Sequence, residues 1–261
     1  MASQLKNKKV IIFDLDGTLT ESKSNLDYEM SKLLCELLNY KKVAIIGGGK
    51  YEQFKNQFLK YFKCDVKKIK NLFLFPTNAT AFYKFKNNKW NKIYEFELKR
   101  SEVQKIFDAF NETFKKFNYK YPEKTYGPVI ENRGTQITFS ALGQEVVSRL
   151  GNQGLKLKEN WLKKNKKLRE RMAKYLQKIL PEFEIRVGGL TSIDITKKGI
   201  DKAYGIRQIS KNLKTPIKDM VFVGDALFPR GNDYAAKKTG ILCIQVKSPK
   251  ETKELISRML K

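Results

Sequence analysis

Histidine is absent from the 261 residues, which excludes Ser-His-Asp and Cys-His nucleophiles, phosphohistidine intermediates and His-ligated zinc. Acid–base work therefore falls to carboxylates or lysine. Cysteine is scarce: Cys35, Cys64 and Cys243 are odd in number, widely separated and without a Cys-x-x-Cys pair. That spacing suggests neither a disulfide framework nor a zinc knuckle, and a reducing cytoplasm is the natural reading. Long apolar runs are missing as well. No window approaches the roughly 18 apolar residues of a membrane span, so no membrane partner is expected. The start, Met1 to Asn7, lacks the apolar stretch of a secretory signal, and the expectation is a chain that stays where it is made. Arginine is rare among the cations, and no internal repeat or low-complexity linker interrupts the chain.

What is present is ample core material: 41% hydrophobic and 12% aromatic residues suffice for one large domain or two small ones. The net charge of +26 invites a nucleic-acid reading. Against it, the lysines are spread along the whole chain among Asn, Ile, Tyr and Phe, a mixture that A/T-rich coding would also produce. A solvated, lysine-rich surface that favours small anionic substrates is the expectation, with no specific nucleic-acid partner.

The apolar run Val10-Ile11-Ile12-Phe13 is continuous and ends at a turn, as in a strand buried on both faces of a parallel sheet. Helical spacing from Leu26 to Leu38 leads to a second such strand, Val43–Ile46, closed by Gly47-Gly48-Gly49. A further amphipathic helix, Tyr51 to Phe62, precedes the strand Leu72–Phe75, stopped by Pro76. The middle of the chain differs. Hairpin strands flank Asn87-Asn88, then come a helix near 101–117, the strand Gln136–Phe139, a helix near 159–179 and two short strands around Gly188-Gly189. The β/α alternation resumes with a helix near 201–213 and the strands Val221–Val223 and Ile241–Val246. The pattern predicts an α/β fold: a Rossmann-like core with a parallel sheet, formed by 1–87 and 197–261, and an inserted α+β domain over 88–196.

Asp14-Leu15-Asp16-Gly17-Thr18 follows the first buried strand, so both carboxylates project from the carboxyl end of a central strand, where open α/β sheets place ligands. Residues two apart point the same way, letting Asp14 attack a phosphorus while Asp16 handles a proton at the bridging oxygen. Val221-Phe222-Val223-Gly224-Asp225 carries another carboxylate to the end of another strand, and Gly231-Asn232-Asp233 follows. Together they make an oxygen-rich pocket suited to Mg²⁺. Lys202, opening a helix, is placed to offset phosphate charge. The run Lys163 to Lys174, with Arg169 and Arg171, reads as a solvated helix face, and the cysteines as buried filler.

With DLDGTLT, the Lys of GIDK and the stretch GDALFPRGND on the page, the chain resembles the haloacid dehalogenase superfamily, with a large inserted cap. Within it, Gly188-Gly189-Leu190-Thr191-Ser192-Ile193-Asp194, followed by GIDKAYGIR and FPRGND, is most similar to the eukaryotic-type phosphomannomutases, over nearly the full length. The resemblance implies Asp14 as phosphorylated nucleophile, Asp16 as general acid/base and Lys202 as the cation at the transferring phosphoryl group. It implies Asp14, the Asp16 carbonyl and Asp225 as Mg²⁺ ligands, with Asn232 and Asp233 beside them. Ser192 and Asp194 would hold sugar hydroxyls, and Arg133 the distal phosphate. A hexose phosphate substrate, a sugar bisphosphate activator for a mutase and a homodimer through the cap complete the expectations.

Departures from the family pattern keep a second reading open. Gln144 stands where the family has its next cap arginine, and Arg149 lies two places early for the third. Lys23 replaces an arginine after the DGTLT motif, keeping charge but not bidentate geometry. Gly47-Gly48-Gly49-Lys50 replaces a GGSD loop, so Gly48 and Gly49 offer phosphate only backbone N–H groups. A thinned clamp on the second phosphate suits a sugar-phosphate phosphatase, and mutase and phosphatase are both carried forward.

Overall fold

Strand β1 (Val10–Asp14) is buried at every position and pairs in parallel with β10 (Met220–Gly224) on one side and β2 (Lys42–Ile46) on the other. In the computed structural model, which describes residues 5, 7–21, 24–229 and 231–261, the strand's alternation decides the layers. Ile11 and Phe13 join Val43, Ile45, Val221 and Val223 in one apolar cluster, while Val10 and Ile12 join Ala44, Ile46, Met220 and Phe222 in another. The first cluster is covered by α1 (Tyr28–Leu37), by the helical run α2 (Tyr51–Gln53, continuing as a π-helix over Phe54–Leu59) and by α8 (Pro249–Leu260). The second is covered by α7 (Lys202–Leu213). A short helix α3 (Val66–Ile69) leads into β3 (Leu72–Phe75). The full sheet runs β11-β10-β1-β2-β3-β4-β5, with β11 spanning Leu242–Gln245.

Strands β4 (Ala81–Lys86) and β5 (Lys89–Glu95) form the hairpin expected around Asn87-Asn88, and they extend this sheet antiparallel to β3. The boundary expected after residue 87 falls at the turn of that hairpin. Because β5 takes its backbone hydrogen bonds from β4, the first compact unit comprises Met1–Glu95 and Ile200–Lys261, and the second Phe96–Gly199. Among the described residues, no helix is long and apolar enough to cross a membrane.

The second unit is a four-stranded antiparallel sheet, order β6-β7-β9-β8, with β6 Ile130–Asn132, β7 Gln136–Ser140, β8 Phe183–Gly188 and β9 Ser192–Lys197. One face, with Ile137, Phe139, Ile193 and Ile195, packs on α4 (Arg100–Lys116) and α6 (Asn152–Ile179), which bring Ile106, Phe110, Met172 and Leu176. A short helix, α5 (Val146–Leu150), precedes α6. The opposite face is polar by the same alternation. It carries Gln136, Thr138 and Ser140 on β7 opposite Thr196, Asp194 and Ser192 on β9.

Two expectations need correction. Cys35 and Cys64 form a disulfide, their Cα atoms 5.3 Å apart, which overturns the reading of all three cysteines as unbridged filler. Spacing could not show it, because the bond depends on α1 and the segment after α2 lying side by side, as the 2.8 Å hydrogen bond from Lys63 N–H to Ser31 Oγ also records. Arg169 does not belong to a solvated face: it is buried and donates from Nη1 to the carbonyl of Gly189 (2.9 Å), where β8 turns into β9.

Candidate active site

Asp14 lies at the carboxyl end of β1, and its side chain is almost wholly buried. Lys202, the first residue of α7, reaches it because Asp201 caps that helix, accepting from Tyr204 N–H at 2.9 Å. The Lys202 ammonium donates to Asp14 Oδ1 and to the Ile46 carbonyl (3.4 Å), and lies 3.2 Å from Asp233 Oδ1. Asp225 follows β10, its Oδ1 accepting from the Thr18 hydroxyl at 3.3 Å, and the Ala226 N–H donates to Asp233 Oδ2 at 3.2 Å.

Two glycines permit this crowding. A Cβ on Gly17, whose φ is +86°, would stand 2.6 Å from Asp225 Oδ2, and one on Gly224 would stand 2.4 Å from Asp233 Oδ2.

Asp14, Asp225 and Asp233 can each offer an oxygen within 4.8 Å of the others. Three carboxylates facing one ammonium leave an excess of negative charge in a buried place, which is costly unless a cation joins them. Burial pushes the Asp14 carboxyl well above its ordinary value, against the pull of Lys202 and with the help of Asp233. Burial and Asp233 also push Asp225 up. For Lys202 burial works the other way, but Asp14 and Asp233 outweigh it and hold the ammonium charged. All-oxygen donors, buried and short of positive charge, fit a small hard divalent cation.

Asp16 stands outside this cluster. Its Oδ2 accepts from Gln53 Nε2 at 3.0 Å and its Oδ1 from Gln57 Nε2 at 2.9 Å. Neither glutamine was singled out from sequence, although two amides at i and i+4, each directly before a buried phenylalanine, Phe54 or Phe58, are a readable signal. Asn232 is exposed and directly precedes the buried Asp233. Gly48 and Gly49 lie in the loop after β2, whose Gly47 and Gly49 carbonyls accept from Asn78 and Thr77 N–H. Lys23 lies outside the described residues.

In the second unit Ser192 and Asp194 share the polar sheet face. Asp194 Oδ1 accepts from Thr138 Oγ1 at 2.8 Å, and the half-buried Ser192 opens the same strand. Arg133 donates to Glu131 Oε2 (2.8 Å) and to Gln144 Oε1 (3.1 Å), so the residue at the missing arginine's place is itself bound to the arginine that remains. Arg149 is largely exposed and ion-paired with Glu145 on its own helical turn.

The model of the haloacid dehalogenase-like hydrolases matches residues 11–235, from β1 through Asp225 and Asp233. The chain belongs to that family. This haloacid dehalogenase-like protein is 27% identical to the phosphomannomutase of Encephalitozoon cuniculi, over 97% of its own length and 94% of the relative's. It is 25% identical to phosphomannomutase 1 of Homo sapiens, over 89% and 84%. Among solved structures, the N-terminally truncated, IMP-bound IMP-nucleotidase of Plasmodium falciparum superposes with a TM-score of 0.70 at 17% identity, covering 99% of this chain and 71% of that one. Trehalose-6-phosphate phosphatase of Aspergillus fumigatus gives 0.57 at 15% identity, over 99% and 96%. These two likenesses speak to the fold.

Proposed function

We propose that this chain is a phosphohexomutase that interconverts mannose 6-phosphate and mannose 1-phosphate through an aspartyl-phosphate on Asp14. The observation that carries the chemistry is the buried Asp14, ion-paired to Lys202 beside Asp225 and Asp233, with a second carboxylate two residues on held apart from that cluster. An Asp14 oxygen attacks the phosphorus of a sugar bisphosphate while the bond from phosphorus to the sugar oxygen breaks. Asp16 gives its proton to that oxygen and later takes one from the hydroxyl that attacks the aspartyl-phosphate. Lys202 balances charge on the phosphoryl oxygens as they change partners.

Asp14, Asp225 and Asp233, with the Asp16 carbonyl, would hold Mg²⁺, which supplies charge stabilisation to the transferring group. In the second unit Arg133 would grip the phosphate that is not reacting, with Ser192 and Asp194 on sugar hydroxyls. The 1–95 and 200–261 unit is thus the phosphotransfer core and 96–199 the specificity cap. A catalytic sugar bisphosphate primes the cycle, and a cytoplasmic location and dimerisation through the cap go with this reading. The similarity to phosphomannomutases over nearly the whole chain supports it.

A sugar-phosphate phosphatase is the second reading, favoured by Gln144 at an arginine's place and by the absence of a side chain at Gly49. One assay separates them: mannose 1-phosphate with Mg²⁺ and catalytic hexose bisphosphate, with mannose 6-phosphate and free phosphate both measured. A mutase yields the isomer with little free phosphate. Stoichiometric phosphate release without isomer puts the phosphatase first.

A further inference from the structure

Gln53 and Gln57 occupy neighbouring turns of α2, on a segment fixed by the fully buried rings of Phe54 and Phe58. Here the helix passes from α to π geometry, a local irregularity that is enriched at functional sites. Each amide nitrogen uses both of its hydrogens. Gln53 Nε2 donates to Asp16 Oδ2 and, at 2.8 Å, to Gln57 Oε1. Gln57 Nε2 donates to Asp16 Oδ1 and, at 2.6 Å, to Thr20 Oγ1. The network fixes which way both amides face, since turning either would set its carbonyl oxygen against a carboxylate.

Gly49 makes room for this arrangement. A Cβ at position 49 would stand 1.9 Å from Gln53 Oε1 and 2.5 Å from its Cδ, so the Gln53 amide fills the space that a side chain on the loop would take. In sequence Gly49 reads as the loss of a hydroxyl. In space a carboxamide from the next helix has moved into its place.

We propose that Gln53 is a positioning residue for Asp16, and that Gly49 is the substitution that admits it; this rests on Asp16 acting as the general acid/base. Held at both oxygens by amides from a rigid helix, the Asp16 carboxyl keeps one plane. Each oxygen retains a lone pair for the proton that passes to or from the bridging oxygen. Without Gln53 the carboxyl loses the amide that holds Oδ2 and can shift in its plane, and misplacement of about 1 Å can cost up to about a hundredfold in rate.

The test contrasts leaving groups. A sugar alkoxide must receive a proton as it leaves, whereas acetate leaving acetyl phosphate needs none. Gln53→Leu, close in volume but without donors, should slow transfer from sugar phosphate roughly 10–100-fold in kcat at unchanged KM. Phosphorylation of Asp14 by acetyl phosphate, followed as trapped phosphoenzyme, should stay within about twofold, which a merely structural loss would not allow. Gly49→Ser should reproduce the pattern by displacing Gln53, and the double variant should be no slower than the slower single one. The proposal is overturned if Gln53→Leu leaves sugar-phosphate turnover unchanged, if both donors slow equally, or if the two substitutions act independently. A wild type that releases phosphate without isomerising removes the mutase reading while the contrast between donors still decides the role of Gln53.

Discussion

The charged groups at the end of β1 and those on the polar face of the cap sheet solve opposite problems. At Asp14 the acids outnumber the cation: Lys202 alone faces Asp14 and Asp233, with Asp225 alongside, and all but Asp225 are nearly water-free. On the cap sheet arginines stand beside acids, Arg133 with Glu131 and Arg186 with Glu184, and each pair keeps contact with water. The first arrangement is short of positive charge and suits a cation. The second is balanced and partly solvated, so an anion arriving there must compete with a carboxylate already in place. High net charge therefore says little about either, because local pairing decides what each can bind.

The sharpest break of this contrast is at Asp14. Asp14→Asn should lower turnover by at least three powers of ten, since an amide forms no acyl-phosphate. Thermal unfolding should be no worse than wild type, because one member of an over-acidic group is removed. Retained activity above about a hundredth would rule out Asp14 as the covalent residue. Removing the cation instead should unfold the region: Lys202→Met strands Asp14 and Asp233 and should destabilise by about 3–5 kcal/mol in denaturant titration.

Metal should substitute for protons in the same cluster. Without Mg²⁺, Asp14 and Asp225 hold protons above the ordinary carboxylate range, so the folded chain binds more protons there than the unfolded one. Stability should then fall as pH rises through those raised values. Saturating Mg²⁺ should flatten that slope and add about 2–3 kcal/mol at a hundredfold excess over Kd. A pH slope indifferent to Mg²⁺ would separate the acidic cluster from metal binding. On the cap the effect should be smallest: Glu131→Gln removes the carboxylate that competes with an anion for Arg133 and should lower KM for a sugar phosphate a few-fold, in keeping with about 0.5–1 kcal/mol for a partly solvated pair.

The strand-and-carboxylate frame was legible because burial on two faces writes itself as an unbroken apolar run. Val10–Phe13 and Val221–Val223 each end in the acid they deliver, and the helix opening at Lys202 is announced by its cap, Asp201. What escaped depends on partners distant in sequence. The β4–β5 hairpin has the same alternation whether it joins the parallel sheet or the inserted one, and only pairing with β3 decides. Arg169 sits in a lysine-rich run whose average hides one inward position, and β6 is three residues, none of them buried, with no pattern to read. Gln53 and Gln57 leave only two amides four residues apart in the sequence, and their role as site residues lies in where α2 points them.

The insertion of the cap into the core sets a timetable for the site. Asp14 lies 188 residues before Lys202, and Asp225 and Asp233 come later still, all beyond the cap. At about 5–20 residues per second, a ribosome makes Asp14 roughly 10–40 s before Lys202 exists. In that interval β1 has β2 for a neighbour but not β10, which leaves one edge of the central strand open to other chains. The cap, contiguous and with a core of its own, can fold meanwhile and shorten the loop that β10 must close. The growing chain therefore carries Asp14 without its partners, and the cluster is complete only when the last quarter of the protein returns to the first.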